Sequence, residues 1–398
     1  RLLLNSSLCF VRSVGMHHSL TMFFAFIMLL AHGALSANDT CTQGDTHCSN
    51  DADMQYLLQQ HLALDITVAT NTIARQTSTL SEKTFLVACD DSEGDGGSTW
   101  ASLTPWASDF PKANVVIKFQ RGCTFDLTEV FNDWTKHRLT FDGITLEAYG
   151  SGDKPELAGA AMGSGQQKWS LSFVASNNVH IRNLKFRNSS IVFSPPWGQT
   201  MTGLILENCV FDVSDHKFVL MSNTANTNLA YKFENVLVQN NIFRGAHDHA
   251  FVMASWINPS YREDAPYSFN VTFRNNHFYD TACKEGTECQ GAGVVVNSAK
   301  DILFEHNVCI RMYGSCYWSV RTKRSTYRNN FVALSKRITD AFTGHVDIFN
   351  KDVEMYGNIG YKNEGGFFEI LGWSNVSTMQ YSISINDGEP QGSARAHD

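Results

Sequence analysis

Between about residue 177 and residue 361, polar and hydrophobic positions alternate in short runs. One phrase keeps returning there: a β-rich run, an Asn, then two or three apolar residues. Its copies are HIRNLKF, LILENCVF, VLVQNNIF, VTFRNNHF, ILFEHNVC, STYRNNFV and VEMYGNIG, anchored at Asn183, Asn208, Asn241, Asn276, Asn307, Asn330 and Asn358. The intervals run from 23 residues (Asn307 to Asn330) to 35 (Asn241 to Asn276). A short unit with a variable insert is what a solenoid produces when its loops project from one side. Each repeat holds three short runs of period two and no helical period. The pattern therefore predicts an all-β, right-handed, single-stranded parallel β-helix with three-strand coils. One turn is expected at Gly293 to Asn297, Asp301 to Glu305 and Val308 to Ile310. The recurrent Asn is expected at the corner between the second and third strands. A left-handed conformation is tolerated there, and the amide can bond its copy in the next coil.

Outside the repeats the pattern changes. An apolar run from Met22 to Leu30 precedes Ala34, Leu35, Ser36 and Ala37, which reads as a secretory leader over 1–37, with Met16 or Met22 as the expected start. The run is short for a membrane span. Residues 38–83 form an extension with a helical pattern from Met54 to about Ser81. The β-helix domain is expected over 84–389, opening with a strand at Thr84 to Ala88 and capped by a short helix around Trp100 to Trp106. Strand pattern continues to Ile385 and no closing cap follows, so residues 390–398 read as a tail that further coils would extend.

Composition narrows the function classes. Hydrophobic residues at 43%, including 27 Phe, supply a large core, with charged residues at only 18%. A net charge of -8, with no basic block, lacks the electrostatic footprint of a nucleic-acid binder. An acidic glycan would need a local basic groove. In an exported chain the close pairs Cys41 with Cys48, Cys283 with Cys289, and Cys309 with Cys316 read as disulfides, and Cys89 with Cys123 as a fourth. Cys209, inside a strand pattern, reads as a buried thiol. No paired ligand spacing marks a zinc site. Sequons stand at Asn38, Asn188, Asn270 and Asn375.

The segments VACDDSEGDGGSTWASLTPW, VVIKFQRGCTFD and LEAYGSGDKPEL, in that order, resemble the opening of secreted right-handed β-helix proteins of the pectate-lyase-like superfamily. NEGGFFEI and YSISINDGE resemble a late phrase of uncharacterised secreted members. The resemblance covers about Thr84 to Glu389 and implies this fold in a carbohydrate setting; fold alone does not imply reaction. Neither the paired-Asp pattern of polygalacturonases nor the Arg-Pro signature of pectate lyases is present, so no family's catalytic residues are carried over.

In this superfamily the ligand trough resembles a groove along the first strand of each coil, walled by the loops before and after it, where the insertions here fall. Strand alternation in YWSVRT is expected to turn Trp318 and Val320 inward and Ser319 and Arg321 outward. With Val294, Val296, Ile348, Phe368 and Ile370 in the core, the outward column becomes Asn297, Arg321, Asp347 and Glu369. Carboxylates one coil apart, at about 4.8 Å, suit retaining glycoside hydrolysis, or hold Ca²⁺ with loop oxygens, or make a solvated salt ladder with Arg321. A loop cluster adds His247, Asp248, His249, His345, Tyr261, Arg262 and Glu263. Elimination from a uronate needs a cation beside the carboxylate and a base for the C5 proton. His249 as base, with Arg262, Arg321, Lys323 or Arg324 as cation, meets that need, and Tyr261, Tyr317 and Trp256 offer rings for sugar stacking. The expected function is an extracellular polysaccharide-active enzyme, with a uronate lyase first, a glycoside hydrolase second and a non-catalytic glycan binder third. His249, Arg321, Asp347 and Glu369 are the candidate catalytic residues. His247, Tyr261, Arg262, Asn297, Tyr317, Lys323, Arg324 and His345 are the candidate binding residues. The expected partner is a polysaccharide, with no nucleic acid, no membrane once the leader is cleaved, and Ca²⁺ as the one cofactor the acids suggest.

Overall fold

The computed structural model describes residues 82–89, 109–127, 139–159, 171–195, 198–214, 217–221, 232–254, 268–282, 291–336, 342–346, 349–370 and 374–388, all within the second of two compact units, 79–398. The expected leader, the N-terminal extension and the capping helix lie outside these residues. Among the described residues every element is a strand, and none is a helix long and apolar enough to cross a membrane.

The strands form three sheets of 8, 11 and 10 strands, and every pairing is parallel. Each coil contributes one strand to each sheet in turn, as in Val294–Asn297, Ala299–Glu305 and Val308–Ile310. The chain is a right-handed parallel β-helix of three-strand coils. We call the 8-, 11- and 10-stranded sheets the first, second and third, following their order within a coil. Parallel strands cannot be joined by tight hairpins, so the three corners of the coil carry the connections.

Inside the third sheet, Phe186, Phe211, Phe243 and Phe278 occupy one register and stack with centroids 4.8, 4.8 and 4.9 Å apart and planes within 9° of parallel. Coil spacing is also about 4.8 Å, so identical inward residues in successive coils fall into contact. That geometry explains why Phe is so abundant.

The corner between the second and third sheets divides between two residues the work that the sequence assigned to one. The first is left-handed: Asn183, Asn208, Asn240, Asn275, His306 and Asn329 all have φ between 53° and 60°. The second carries the ladder. Asn241, Asn276, Asn307 and Asn330 each donate through Nδ2 to the Oδ1 of the next rung, at 2.9–3.2 Å, ending on Asn358. Asn183 and Asn208 are therefore turn residues, not rungs. Cys209 takes the rung position after Asn208, and its amide donates to Asn241 Oδ1 at 2.9 Å. Burial pushes its thiol up to about 12, so it is an inert core group. Two expected disulfides form, Cys89–Cys123 and Cys309–Cys316, as suits an oxidising compartment. The other two pairs lie outside the described residues.

A second ladder runs at the corner that follows the third sheet. Asn363 donates to Asp387 Oδ1 from its backbone N at 2.8 Å and from Nδ2 at 3.1 Å, while Ser384 donates to Oδ2 at 3.0 Å. Burial raises the Asp387 carboxyl to about 6 against these hydrogen bonds. An acid whose pKa is raised on folding favours the fold in its neutral form. That contribution is complete below the unfolded value of 3.8 and is lost as pH climbs to about 6. Asp387→Asn, neutral throughout, should raise stability at pH 7 by about 1 kcal/mol, well under the full linkage value because the group is partly exposed. It should also flatten the pH dependence of thermal unfolding between pH 4 and 6. An unchanged slope there would assign the pH dependence to other groups.

Candidate functional site

The strands of the first sheet run from three to five residues, four in Tyr317–Val320, and long inserts adjoin several of them in the chain. Residues 222–231 and 255–267 follow its strands, and residues 283–290 precede one. Its outward face is the surface on which the sequence reading sets the floor of the trough; the inserts themselves lie outside the described residues.

Register defines that floor. One column, with a residue from each strand of the sheet, runs Ser172, Val192, Leu220, Val252, Val295, Trp318, His345 and Glu369. Val252, Ala292 and Val295 form a small apolar cluster with Leu220 and Trp318 packed against it, separate from the interior core. The next column toward the second sheet pairs Asn297 with Val320. The floor is an apolar platform that carries a half-buried Trp at one end and, two coils further on, a half-buried acid.

This register reverses the expected faces of YWSVRT. Tyr317 and Ser319 point inward and are buried, while Trp318 points outward. The reversal follows from the stack inside. The Tyr317 ring lies 4.1 Å from Tyr327 at 7°, over Gly344, where a Cβ would meet its Cζ at 2.1 Å. An indole at the inward position would have to fit the same space. A one-residue shift sends every side chain to the other face, so Tyr317 is a core residue and not a sugar contact. Its hydroxyl is buried and has no hydrogen-bond partner among the described residues. Tyr317→Phe keeps the stack and removes a desolvated polar group, so unfolding should require about 1 kcal/mol more free energy. A destabilised variant in a denaturant titration would mean that the hydroxyl holds a partner.

The expected outward column does not form. Arg321 sits past the end of its strand at φ 54°, only 4% exposed, with Nη1 donating to Ser298 Oγ at 3.4 Å. Asn297 is opposite Val320, and its Oδ1 accepts from Ser298 Oγ at 2.7 Å. Glu369 lies in the other column, opposite His345. Val294 and Val296 fill the core as expected, whereas Ile370 is 44% exposed. Asp347, Ile348, Tyr261, Arg262, Glu263 and Trp256 lie outside the described residues. Lys323 and Arg324 begin a strand of the second sheet, Lys323–Arg328. There Arg324 makes a bidentate pair with Asp301, at 2.6 and 2.7 Å. The run from Arg321 to Arg324 turns the corner of the coil, so its cations do not gather at the trough.

The loop cluster is partly assembled. His247 is exposed, with its backbone N donating to Ser214 O at 2.9 Å. Asp248 pairs with Lys217, a residue with no distinguishing signal in the sequence, and accepts from the His249 backbone N at 2.8 Å. Burial acts to raise the Asp248 carboxyl, but Lys217 and His249 together hold it below its ordinary value. His249 Nδ1 accepts from Ala292 N at 3.0 Å, which assigns its proton to Nε2, 3.5 Å from Asp248 Oδ1. Burial pushes this imidazole down to about 4 despite Asp248, so it is neutral at pH 7. Its ring lies 6.0 Å from that of Trp318, which links the loop to the platform. Among the described residues no group of three or more His, Cys, Asp or Glu gathers as a set of metal ligands.

The outer face of the second sheet is a different surface. Glu147 binds Lys118 at 3.1 Å and Arg182 at 2.6 Å. Glu207 binds His180 at 2.8 Å, and Glu305 binds Arg328 at 2.7 Å. Burial acts to raise Glu147, but its two cations hold it below the ordinary range. Each of these acids is engaged by a neighbouring coil's basic side chain, as a structural ladder requires.

In fold, the chain is similar to the GH136 lacto-N-biosidase from Eubacterium ramulus. The selenomethionine crystal structure of that enzyme matches with a TM-score of 0.51 at 14% identity, over 77% of this chain and 62% of that one. Its native crystal structure matches with a TM-score of 0.35 at 13% identity, over 80% and 60%. The shared feature is the parallel β-helix. The chain spans less than two thirds of that neighbour's length, and no protein-family model or curated protein matches it.

Proposed function

We propose that this protein is an extracellular carbohydrate-active enzyme of the pectate-lyase-like β-helix type, and that it hydrolyses glycosidic bonds on the outer face of its first sheet. The observation that carries this reading is Glu369, an acid on the trough floor in register with Trp318. A ring for stacking and a carboxyl for proton transfer thus share one column. In this reading Asp347 supplies the second carboxylate, because hydrolysis requires two. Elimination is less well served: Arg321 is buried against Ser298, Arg324 belongs to another sheet, and the His249 Nδ1 lone pair is already occupied.

The test is secretion of the chain from Asn38, followed by incubation with neutral and uronate polysaccharides with and without Ca²⁺. Glu369→Gln should lower the release of reducing ends by about 10²- to 10⁴-fold while glycan binding persists, and Asp347→Asn should do likewise. Unsaturated ends from the wild-type protein would replace this reading with the lyase. A folded protein that binds a glycan and releases nothing would replace it with a binding protein.

A further inference from the structure

Of the four sequons, those at Asn188, Asn270 and Asn375 fall among the described residues, and the coil treats them differently. At Asn188 the two serines are core groups. Ser189 and Ser190 are each 1% exposed. Their hydroxyls donate to backbone carbonyls, Ser189 to Leu157 O at 3.0 Å and Ser190 to Lys217 O at 2.6 Å. The corner after the third sheet thus accounts for Asn-Ser-Ser by itself, with Asn188 in the left-handed turn at φ 50°.

At Asn270 the arrangement is reversed. This residue is exposed near the start of the second-sheet strand Ser268–Arg274, and its Nδ2 donates to Asn235 Oδ1 at 2.7 Å. A side-chain amide that carries a sugar on nitrogen keeps one N–H, so modification is compatible with that contact. Thr272, whose hydroxyl completes the sequon, lies between the inward Val271 and Phe273 and therefore points outward, half-buried. It stands in register with Leu237 on one side and Leu303 on the other, and Ile205 extends the column. All three aliphatic side chains are half-buried on the outside of the sheet, two coils or fewer from the sequon. Asn375 and Ser377 are both exposed as well, and group with Asn270 rather than with Asn188.

We infer that Asn270 carries an N-linked oligosaccharide lying over the outward column of Ile205, Leu237 and Leu303, and that Asn188 stays unmodified. This step rests on the extracellular part of the reading above. The donor is an oligosaccharide linked to a lipid diphosphate in the secretory membrane. Asn270 Nδ2 forms a bond to C1 of its first sugar, the bond from C1 to the diphosphate oxygen breaks, and Nδ2 gives up one proton while the lipid diphosphate leaves. Transfer needs the Ser or Thr hydroxyl of the sequon and competes with closure of the coil. Closure withdraws Ser190 into its bond with Lys217 O, whereas Asn270 and Thr272 remain at the surface before and after it.

The chain from Met16, produced in a eukaryotic host that supplies the transferase, allows peptide mapping of the secreted protein by mass spectrometry after amidase release in heavy-oxygen water. The expected result is label at Asn270 in the larger part of the molecules, label at Asn375, and none at Asn188. Thr272→Ser should keep the sugar on Asn270 and Thr272→Ala should lose it, although Asn270 itself is untouched; the wild-type map depends on neither variant. Release of the sugar from the folded protein should increase its binding of an apolar dye, and no increase overturns the placement over the aliphatic column. An unmodified Asn270 in the secreted protein overturns the inference and leaves the carbohydrate reading intact. Sugar on Asn188 overturns the argument from the buried hydroxyl. A chain that never reaches the medium removes the extracellular reading, and the inference with it.

Discussion

Asn307→Ala is expected to lower the unfolding free energy by about 3–5 kcal/mol. Asn307 is 1% exposed, and its Oδ1 accepts from Asn276 N at 3.0 Å and Nδ2 at 3.1 Å. Its Nδ2 donates to Phe273 O at 3.0 Å and Asn330 Oδ1 at 3.2 Å. Alanine removes all four interactions and leaves the Asn276 backbone N–H buried without its acceptor, and orphaning such a group costs more than a hydrogen bond gains. Asn307→Ser should cost less, since Ser382 already occupies the corresponding place in the last described coil and accepts from Asn358 N at 3.3 Å. Denaturant unfolding of both variants provides the measurement. A loss below about 1 kcal/mol for alanine would show that water or a backbone shift satisfies the rung.

Phe243→Ala should cost a similar amount, about 3–5 kcal/mol, for a different reason. Phe243 is fully buried in the middle of the stack, between Phe211 and Phe278, and Phe218 tilts onto it at 6.2 Å. Removing the ring opens a cavity between the rings of Phe211, Phe278 and Phe218, which the fixed spacing of the coils holds apart, and this limits collapse. Phe243→Leu should recover more than half of the loss, because most of the cost is volume. Equal destabilisation by Leu and Ala would instead assign the energy to ring stacking.

The two variants also separate two kinds of sequence information. The Asn positions recur because each coil repeats its neighbour, so the ladder was visible as a repeat, whereas the stack of Phe rings emerges only from the pairing of the coils. The ladder was misplaced by one residue at Asn183 and Asn208. The motif puts two adjacent polar positions at the corner, and a left-handed turn and a buried rung both favour Asn.

The candidate site was less legible. The resemblance placed the trough along the first strand of each coil, where the inserts fall in the sequence. The outward column did not follow, because a four-residue strand offers only two inward positions. In YWSV both Tyr317 and Trp318 are large enough to fill one, so alternation by itself leaves the choice open. The vertical neighbours decide it: Gly344 leaves room in the next coil and Tyr327 supplies a stacking partner from the next sheet. Nor does proximity in sequence survive a corner, which is why Arg321 and Arg324 face different surroundings although they are three residues apart.

Legible along the chain was the coil: three strands, a parallel solenoid and a polar ladder at one corner. These follow from period-two runs and repeat spacing, which are properties of the chain read along its length. Tertiary structure alone decided which side chains share a column, which histidine nitrogen is occupied, and which cations are spent on partners. Those depend on contacts between coils 23 to 35 residues apart, where the fit of each residue is judged against the one stacked above it rather than against its neighbours in the chain.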